Sequence, residues 1–141
     1  MAKNNTTIVS SDNGHSQCLF CGDLNPRSMN LSFQAEGIGT VKTKFQAGAE
    51  LQGYDGIIHG GVIAALLDAA MTHCLFHQGI QAITGDLHVR FVRPVAYTAS
   101  LEIRAWLQLS HPPLHQLRAE ITVDNSVMAW AEAKFVQRRV L

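Results

Sequence analysis

The hydrophobic and polar positions follow two different periods along the chain. In residues 28–33, Met29, Leu31 and Phe33 alternate with polar neighbours, and Val41, Thr43 and Phe45 repeat the pattern beyond Gly37-Ile38-Gly39. That spacing predicts a β-hairpin closed by a glycine turn. Residues 46–58 carry Gly48, Gly53 and Gly56, which read as the end of a strand running into a loop. The period then changes. From Val62 to Phe76 the sequence VIAALLDAAMTHCLF has no Gly or Pro and is rich in Ala and Leu, the best helix formers. Its apolar residues run nearly all the way round the helical wheel, the pattern of a helix buried on most sides. Alternation returns in Leu87, Val89 and Phe91, in Leu101 to Leu109, and in Leu117, Ala119, Ile121 and Val123. After the turn Asp124-Asn125-Ser126 it resumes with Val127, Ala129, Ala131, Ala133 and Phe135. These four strands in succession predict a meander.

Two strands before one buried helix and four after it give an α+β architecture, with one antiparallel sheet of about six strands wrapped around a central helix in a hotdog shape. An open sheet of that size leaves edges, which a second copy of the chain could cover. With 141 residues the chain fits one domain. We place it at residues 16–141, preceded by a flexible tail at residues 1–15.

Composition narrows the function classes. Eleven basic residues balance eleven acidic ones, which gives no long-range attraction to nucleic acid or to an anionic membrane. The first 17 residues contain no apolar stretch that would serve as a secretory signal, and Asp68 interrupts the longest apolar run, so neither export nor a membrane span is expected. Three cysteines in a chain large enough to build a core do not suggest a disulfide framework. The expected location is the cytoplasm.

The segment Gln52 to Thr72, QGYDGIIHGGVIAALLDAAMT, concentrates the candidate chemistry. Gly60 and Gly61 stand at the helix start, where backbone N–H groups lack intrahelical acceptors and the dipole is positive. A carbonyl oxygen gaining charge would suit that place; the plain alternative is a tight turn into the helix. Asp68 lies in the most apolar stretch of the chain, where a carboxylate is costly unless it has a task, either as general base on water or as nucleophile. Pairing at a subunit contact is its structural alternative. Thr72, four residues on, shares the helix face with Asp68, although a helical Thr commonly bonds back to its own i−4 carbonyl. His59 could touch substrate or brace the loop, and bracing is the better reading.

The order of glycine-rich loop, His59-Gly60-Gly61, apolar helix and Asp68 resembles the hotdog acyl-CoA thioesterases, in particular the phenylacetate-pathway type. Cys18-Leu19-Phe20-Cys21-Gly22 with Asn25-Pro26, and Arg90-Phe91-Val92-Arg93-Pro94-Val95, are similar to that group as well, so the resemblance spans residues 18–136. It implies hydrolysis of an acyl-CoA to free acid and CoA, without cofactor or metal, by a homodimer or homotetramer with sites at the subunit interface. It brings in Gln52 as a candidate amide near the thioester oxygen, although relatives commonly place that amide where this chain has Gly53. Thr84 falls near a position where some relatives keep a water-orienting Ser. Arg90 and Arg93 could meet the CoA phosphates or simply be solvated strand residues. A non-catalytic module that binds an acyl thioester or a partner is the alternative reading, and a hydratase is a weaker third.

The helix rise adds an argument of its own. Eight residues separate Gly60 from Asp68, about 12 Å at 1.5 Å each, whereas an attacked carbon must lie roughly 3 Å from both its oxyanion donors and its attacker. One chain can hardly supply both. His15, Cys18 and Cys21 form H-x-x-C-x-x-C, a plausible zinc spacing that lacks a fourth ligand, so no metal is expected.

Overall fold

The computed structural model describes residues 13–138. Its elements are β1 (Gln34–Ala35), β2 (Thr40–Gln46), α1 (Gly60–Phe76), β3 (Ala82–Phe91), β4 (Ser100–His111), β5 (Leu114–Val123) and β6 (Ser126–Gln137), with a short 3-10 turn at Ala49–Leu51. The strands form one antiparallel sheet in the order β1-β2-β4-β5-β6-β3. The sheet curls around α1, which is the expected hotdog architecture.

The core lies between the concave face of the sheet and the helix. Leu66, Leu67, Met71 and Leu75 of α1 meet Leu101, Ile103, Leu117, Ile121 and Phe135 from the central strands, all fully or almost fully buried. Each such side chain contributes about 1.5–3 kcal/mol by leaving water. The helix is not covered all round by its own sheet, because Ala64, Ala65, Asp68 and Ala69 stay partly exposed.

Two local expectations change. The hairpin predicted over residues 28–33 and 41–45 shrinks on its first arm to Gln34–Ala35. Residues 29 and 31 send their backbone N–H groups elsewhere, Met29 to Leu19 O and Leu31 to Phe20 O. The alternation is real, since Leu31 and Phe33 are buried, but it is paired to an N-terminal strap and not to β2. The Gly37 and Gly39 turn is confirmed, with φ of +73° and +81°.

The four-strand meander is also corrected. Only β4, β5 and β6 run consecutively; β3 lies at the far edge, paired with β6. Local alternation identifies a strand but does not select its neighbour. At β3 the ladder shifts register between Thr84 and Asp86, so Gly85 is a bulge. Thr84 pairs opposite buried Phe135, and Leu87, Val89 and Phe91 opposite buried Ala133, Ala131 and Ala129. Without the bulge, the period of two would turn Thr84 to the face opposite Leu87.

Of the tail expected at residues 1–15, residues 1–12 lie outside the described residues. His15 packs edge-on against Phe76, with ring centroids 5.0 Å apart. Among the described residues no helix is long and apolar enough to cross a membrane.

Candidate active site

The loop before α1 is held by its own backbone and by two of the candidate side chains. Gly53 N–H donates to Ile57 O, His59 N–H to Leu51 O, and Ile58 N–H to Val95 O. Gln52 closes the loop with its amide, donating from Nε2 to Ala49 O at 2.7 Å and accepting the Gly56 N–H at 2.5 Å. That amide is therefore spent on the loop in this chain. His59 is the N-cap of α1, its Nδ1 accepting the Gly61 N–H at 2.8 Å. Its carbonyl accepts from Val62 and Ile63. Of the first N–H groups of the helix, only that of Gly60 has no acceptor among the described residues. A side chain at Gly60 would meet the Phe91 ring at 3.6 Å.

Gly60 opens onto a cleft of about 590 Å³, walled by Tyr54, Ile57, Ile63, Phe91 and Val92, with Arg93 among its lining residues. That volume suits an organic ligand of moderate size. Arg93 makes no ion pair among the described residues. Arg90 is exposed on β3 and is not part of the cleft wall.

Two turns further along α1, Asp68 is half-buried and does not line this cleft. Its Oδ1 accepts a hydrogen bond from the Thr84 hydroxyl at 2.6 Å. Burial pushes the Asp68 carboxyl above the usual carboxylate range, against the Thr84 hydrogen bond and the charge of nearby His15, both of which favour ionisation. A carboxylate held this way is a better proton acceptor than a fully solvated one. Thr72 donates its hydroxyl to the Asp68 carbonyl at 3.0 Å. It is buried, and its hydroxyl serves the helix backbone.

The structure thus brings Asp68 and Thr84 together and gathers His59 and Gly60 at the other end of the segment. It does not join the two groups within one chain, and it ties Gln52 and Thr72 to local backbone. Phe91 and Tyr54 are cleft residues that the sequence alone did not single out. Phe91 faces the concave side of the sheet yet is 53% exposed, and Tyr54 is 87% exposed. An apolar side chain on the inner face that no part of its own chain covers is the signal, and it emerges only once the strand order is known.

Comparison with known proteins points to one family. Residues 55–108 match the thioesterase superfamily model. Over 64 residues the chain is 34% identical to the acyl-coenzyme A thioesterase THEM4 of Rattus norvegicus, and over 63 residues it is 36% identical to that of Bos taurus; each stretch is 45% of this chain. The matched stretch spans only about a quarter of those relatives, 27% and 25% of their lengths. The fold is shared with a thioesterase superfamily protein at a TM-score of 0.81 and 22% identity, over 96% of this chain and 72% of that one. It is shared as well with a Bacillus halodurans protein crystallised with CoA, at a TM-score of 0.70 and 22% identity, over 80% of this chain and 77% of that one. A phenylacetic acid degradation-related protein from Ralstonia eutropha JMP134 superposes at 0.68 with 22% identity, over 74% and 82%. The matched residues 55–108 include His59, Gly60 and Asp68, so this segment is similar to the thioesterase superfamily, and the hotdog fold around α1 is the one those solved structures share.

Proposed function

We propose that the protein hydrolyses an acyl-CoA thioester to the free acid and CoA, in a homodimer or homotetramer whose sites lie between subunits. The observation that carries this reading is the placement of Asp68. It is a half-buried carboxylate of raised basicity, hydrogen-bonded by Thr84, on the face of α1 that its own sheet leaves partly open. A buried acid with no chemical task would cost stability for nothing in return.

In the proposed site the acyl chain lies in the apolar cleft beside Tyr54 and Phe91. The thioester oxygen approaches the free N–H of Gly60 at the positive end of the helix, where charge developing on it is stabilised. His59 holds Gly61 and fixes the angle at which the helix starts. Asp68 of a second copy completes the site, because about 12 Å of helix separates it from Gly60 of its own chain. Asp68 either takes a proton from water or attacks the carbonyl carbon directly, and Thr84 holds its carboxylate in place. Arg93 at the cleft is the better placed of the two candidate cations for the phosphates of CoA, since Arg90 stands outside it. The chain's relatives THEM4 carry an acyl-CoA thioesterase name, and CoA-bound structures occur among proteins of the same fold, which supports the substrate class.

The test is release of free thiol over a panel of short, long and aromatic acyl-CoAs. Turnover of at least one, lost in Asp68→Asn, is expected. No turnover of any, with the acyl-CoAs still bound, would replace the enzyme by a binding module.

A further inference from the structure

The N-terminal strap contains a cluster that the proposed hydrolysis does not use. His15, Cys18 and Cys21 place their ligand atoms within 4.8 Å of one another. Cys21 Sγ and His15 Nδ1 are 3.5 Å apart. On a tetrahedral zinc, with Zn–S of about 2.3 Å and Zn–N of about 2.0–2.1 Å, a sulfur and a nitrogen ligand stand roughly 3.5 Å from each other. The pair is thus already at the separation a shared ion would impose.

The backbone around the cysteines is built to match. Cys18 N–H donates to His15 O and Gly22 N–H to Cys18 O, so the strap folds into two successive tight turns. Phe20 N–H points at Cys18 Sγ at 3.3 Å, which fixes the direction of that side chain within the turn. Gly22 is buried, and a Cβ there would stand 2.3 Å from Cys18 N and 2.5 Å from Ser16 O, so no side chain fits in the turn.

H-x-x-C-x-x-C offers three ligands and no fourth, and the fold supplies a candidate for it from α1. His73 is only 4% exposed, and both its ring nitrogens lack a hydrogen-bond partner among the described residues. A buried imidazole without a partner is costly, so the arrangement calls for one. The His73 ring lies 6.5 Å from that of His15, centroid to centroid. His73 stands outside the 4.8 Å cluster of His15, Cys18 and Cys21, so its ring must move inward to complete a tetrahedral set.

We infer that His15, Cys18, Cys21 and His73 bind one zinc ion that staples the N-terminal strap to the central helix. Binding displaces the two thiol protons to solvent, and two thiolates with two neutral imidazoles form a closed structural set. The ion would tie the turns before Met29 and Leu31, which that strap pairs with, to the middle of the core.

The test is metal analysis of the full chain purified without chelator or polyhistidine tag, with X-ray absorption at the zinc edge on the unmodified protein. One zinc per chain with two sulfur and two nitrogen neighbours is expected, with at least a tenfold loss of occupancy in Cys18→Ser, Cys21→Ser and His73→Gln. His77→Gln, which changes the neighbouring helix-end imidazole, should keep its zinc. Should the cysteine variants fail to fold, cobalt loaded into the unmodified chain still reports, through sulfur-to-cobalt charge transfer and tetrahedral visible bands. No zinc taken up at micromolar concentration, a Cys18–Cys21 disulfide in its place, or a first shell without sulfur would overturn the assignment. Zinc lost in His77→Gln and kept in His73→Gln would overturn the fourth ligand.

Discussion

Replacing Asp68 by Asn separates the chemistry of the proposed site from its packing. Asn has the same size, and its Oδ1 can still accept the Thr84 hydroxyl now 2.6 Å from the carboxylate. What disappears is the basicity and the nucleophilicity. Loss of a general base typically slows a reaction about 100-fold to 10,000-fold, and at 1.36 kcal/mol per tenfold that is about 3–5 kcal/mol in the barrier. Stability should move the other way. Burial, the largest influence on Asp68, raises its pKa in the folded chain, with the Thr84 hydrogen bond and His15 only partly offsetting it. The folded state therefore holds the Asp68 proton to higher pH than the unfolded state does. The favourable contribution of the protonated acid is fully present below the unfolded value of about 3.9 and is lost as pH rises through the folded value. At pH 7 the unmodified protein carries the whole cost of an ionised, half-buried carboxylate, and the Asn variant carries none. We expect Asp68→Asn to unfold at the same or a higher temperature at pH 7, with the difference closing below about pH 4. Thiol-release kinetics and thermal unfolding at the two pH values read both effects. A kcat/KM within about threefold of that of the unmodified protein would make Asp68 structural. A lower unfolding temperature at pH 7 would show that its charge is paired in the assembly and refute the burial argument.

Further outcomes follow from the same geometry. Gly60→Ala puts a methyl beside the free N–H at an ordinary 3.6 Å from Phe91. Helix propensity should hold or raise stability by about 0.5–1 kcal/mol, while hydrolysis falls at least about tenfold; unchanged turnover would remove the carbonyl from this position. Thr84→Val deletes a hydrogen bond to a carboxylate worth about 1.5–3 kcal/mol. Because that bond favours the ionised form, the acid limb of kcat/KM against pH should move to higher pH, and an unmoved limb would dissociate it from Asp68. Light scattering at assay concentration should report at least a dimer, and an active monomer would sink the two-chain site. Mixing inactive Asp68→Asn chains with inactive Gly60→Val chains should restore one working site per heterodimer, whereas no recovery would place both groups in one chain.

Much of the fold was legible in the sequence because it rests on local patterns. Alternation located all four long strands, and the run without Gly or Pro located α1 to within two residues of its observed start. Two-residue turns also announced themselves: Asp124 and Asn125 both take positive φ, 50° and 67°. What was not legible depends on pairing between distant segments. Nothing near β3 says that it joins β6 and not β4, and nothing in residues 28–33 says that their hydrogen bonds go to Leu19 and Phe20. The same limit governs the site. Asp68 stood out by its apolar surroundings, whereas its tie to Thr84 depends on the Gly85 bulge, and a strict period of two would have turned Thr84 away.

The helix wheel carries a last consequence. Its apolar residues run nearly all round, yet the chain's own sheet leaves Ala64, Ala65, Asp68 and Ala69 partly open. Three of these four are Ala, which contributes little area to a core of its own but lets another backbone come close. On the same side of the sheet, Leu87 and Phe91 face inward and remain 37% and 53% exposed. An all-round apolar wheel on a helix with one uncovered, small-residue face is accounted for when a second copy supplies the missing cover. In that arrangement the surface that needs burying and the carboxylate that needs a second copy's Gly60 to complete its site lie on one face. Assembly and catalysis would then be lost together: a charged residue at Ala65 should give monomers that bind poorly and turn over nothing, even though Asp68, Thr84 and Gly60 are all still present. Monomers of Ala65→Glu with full activity would break the link.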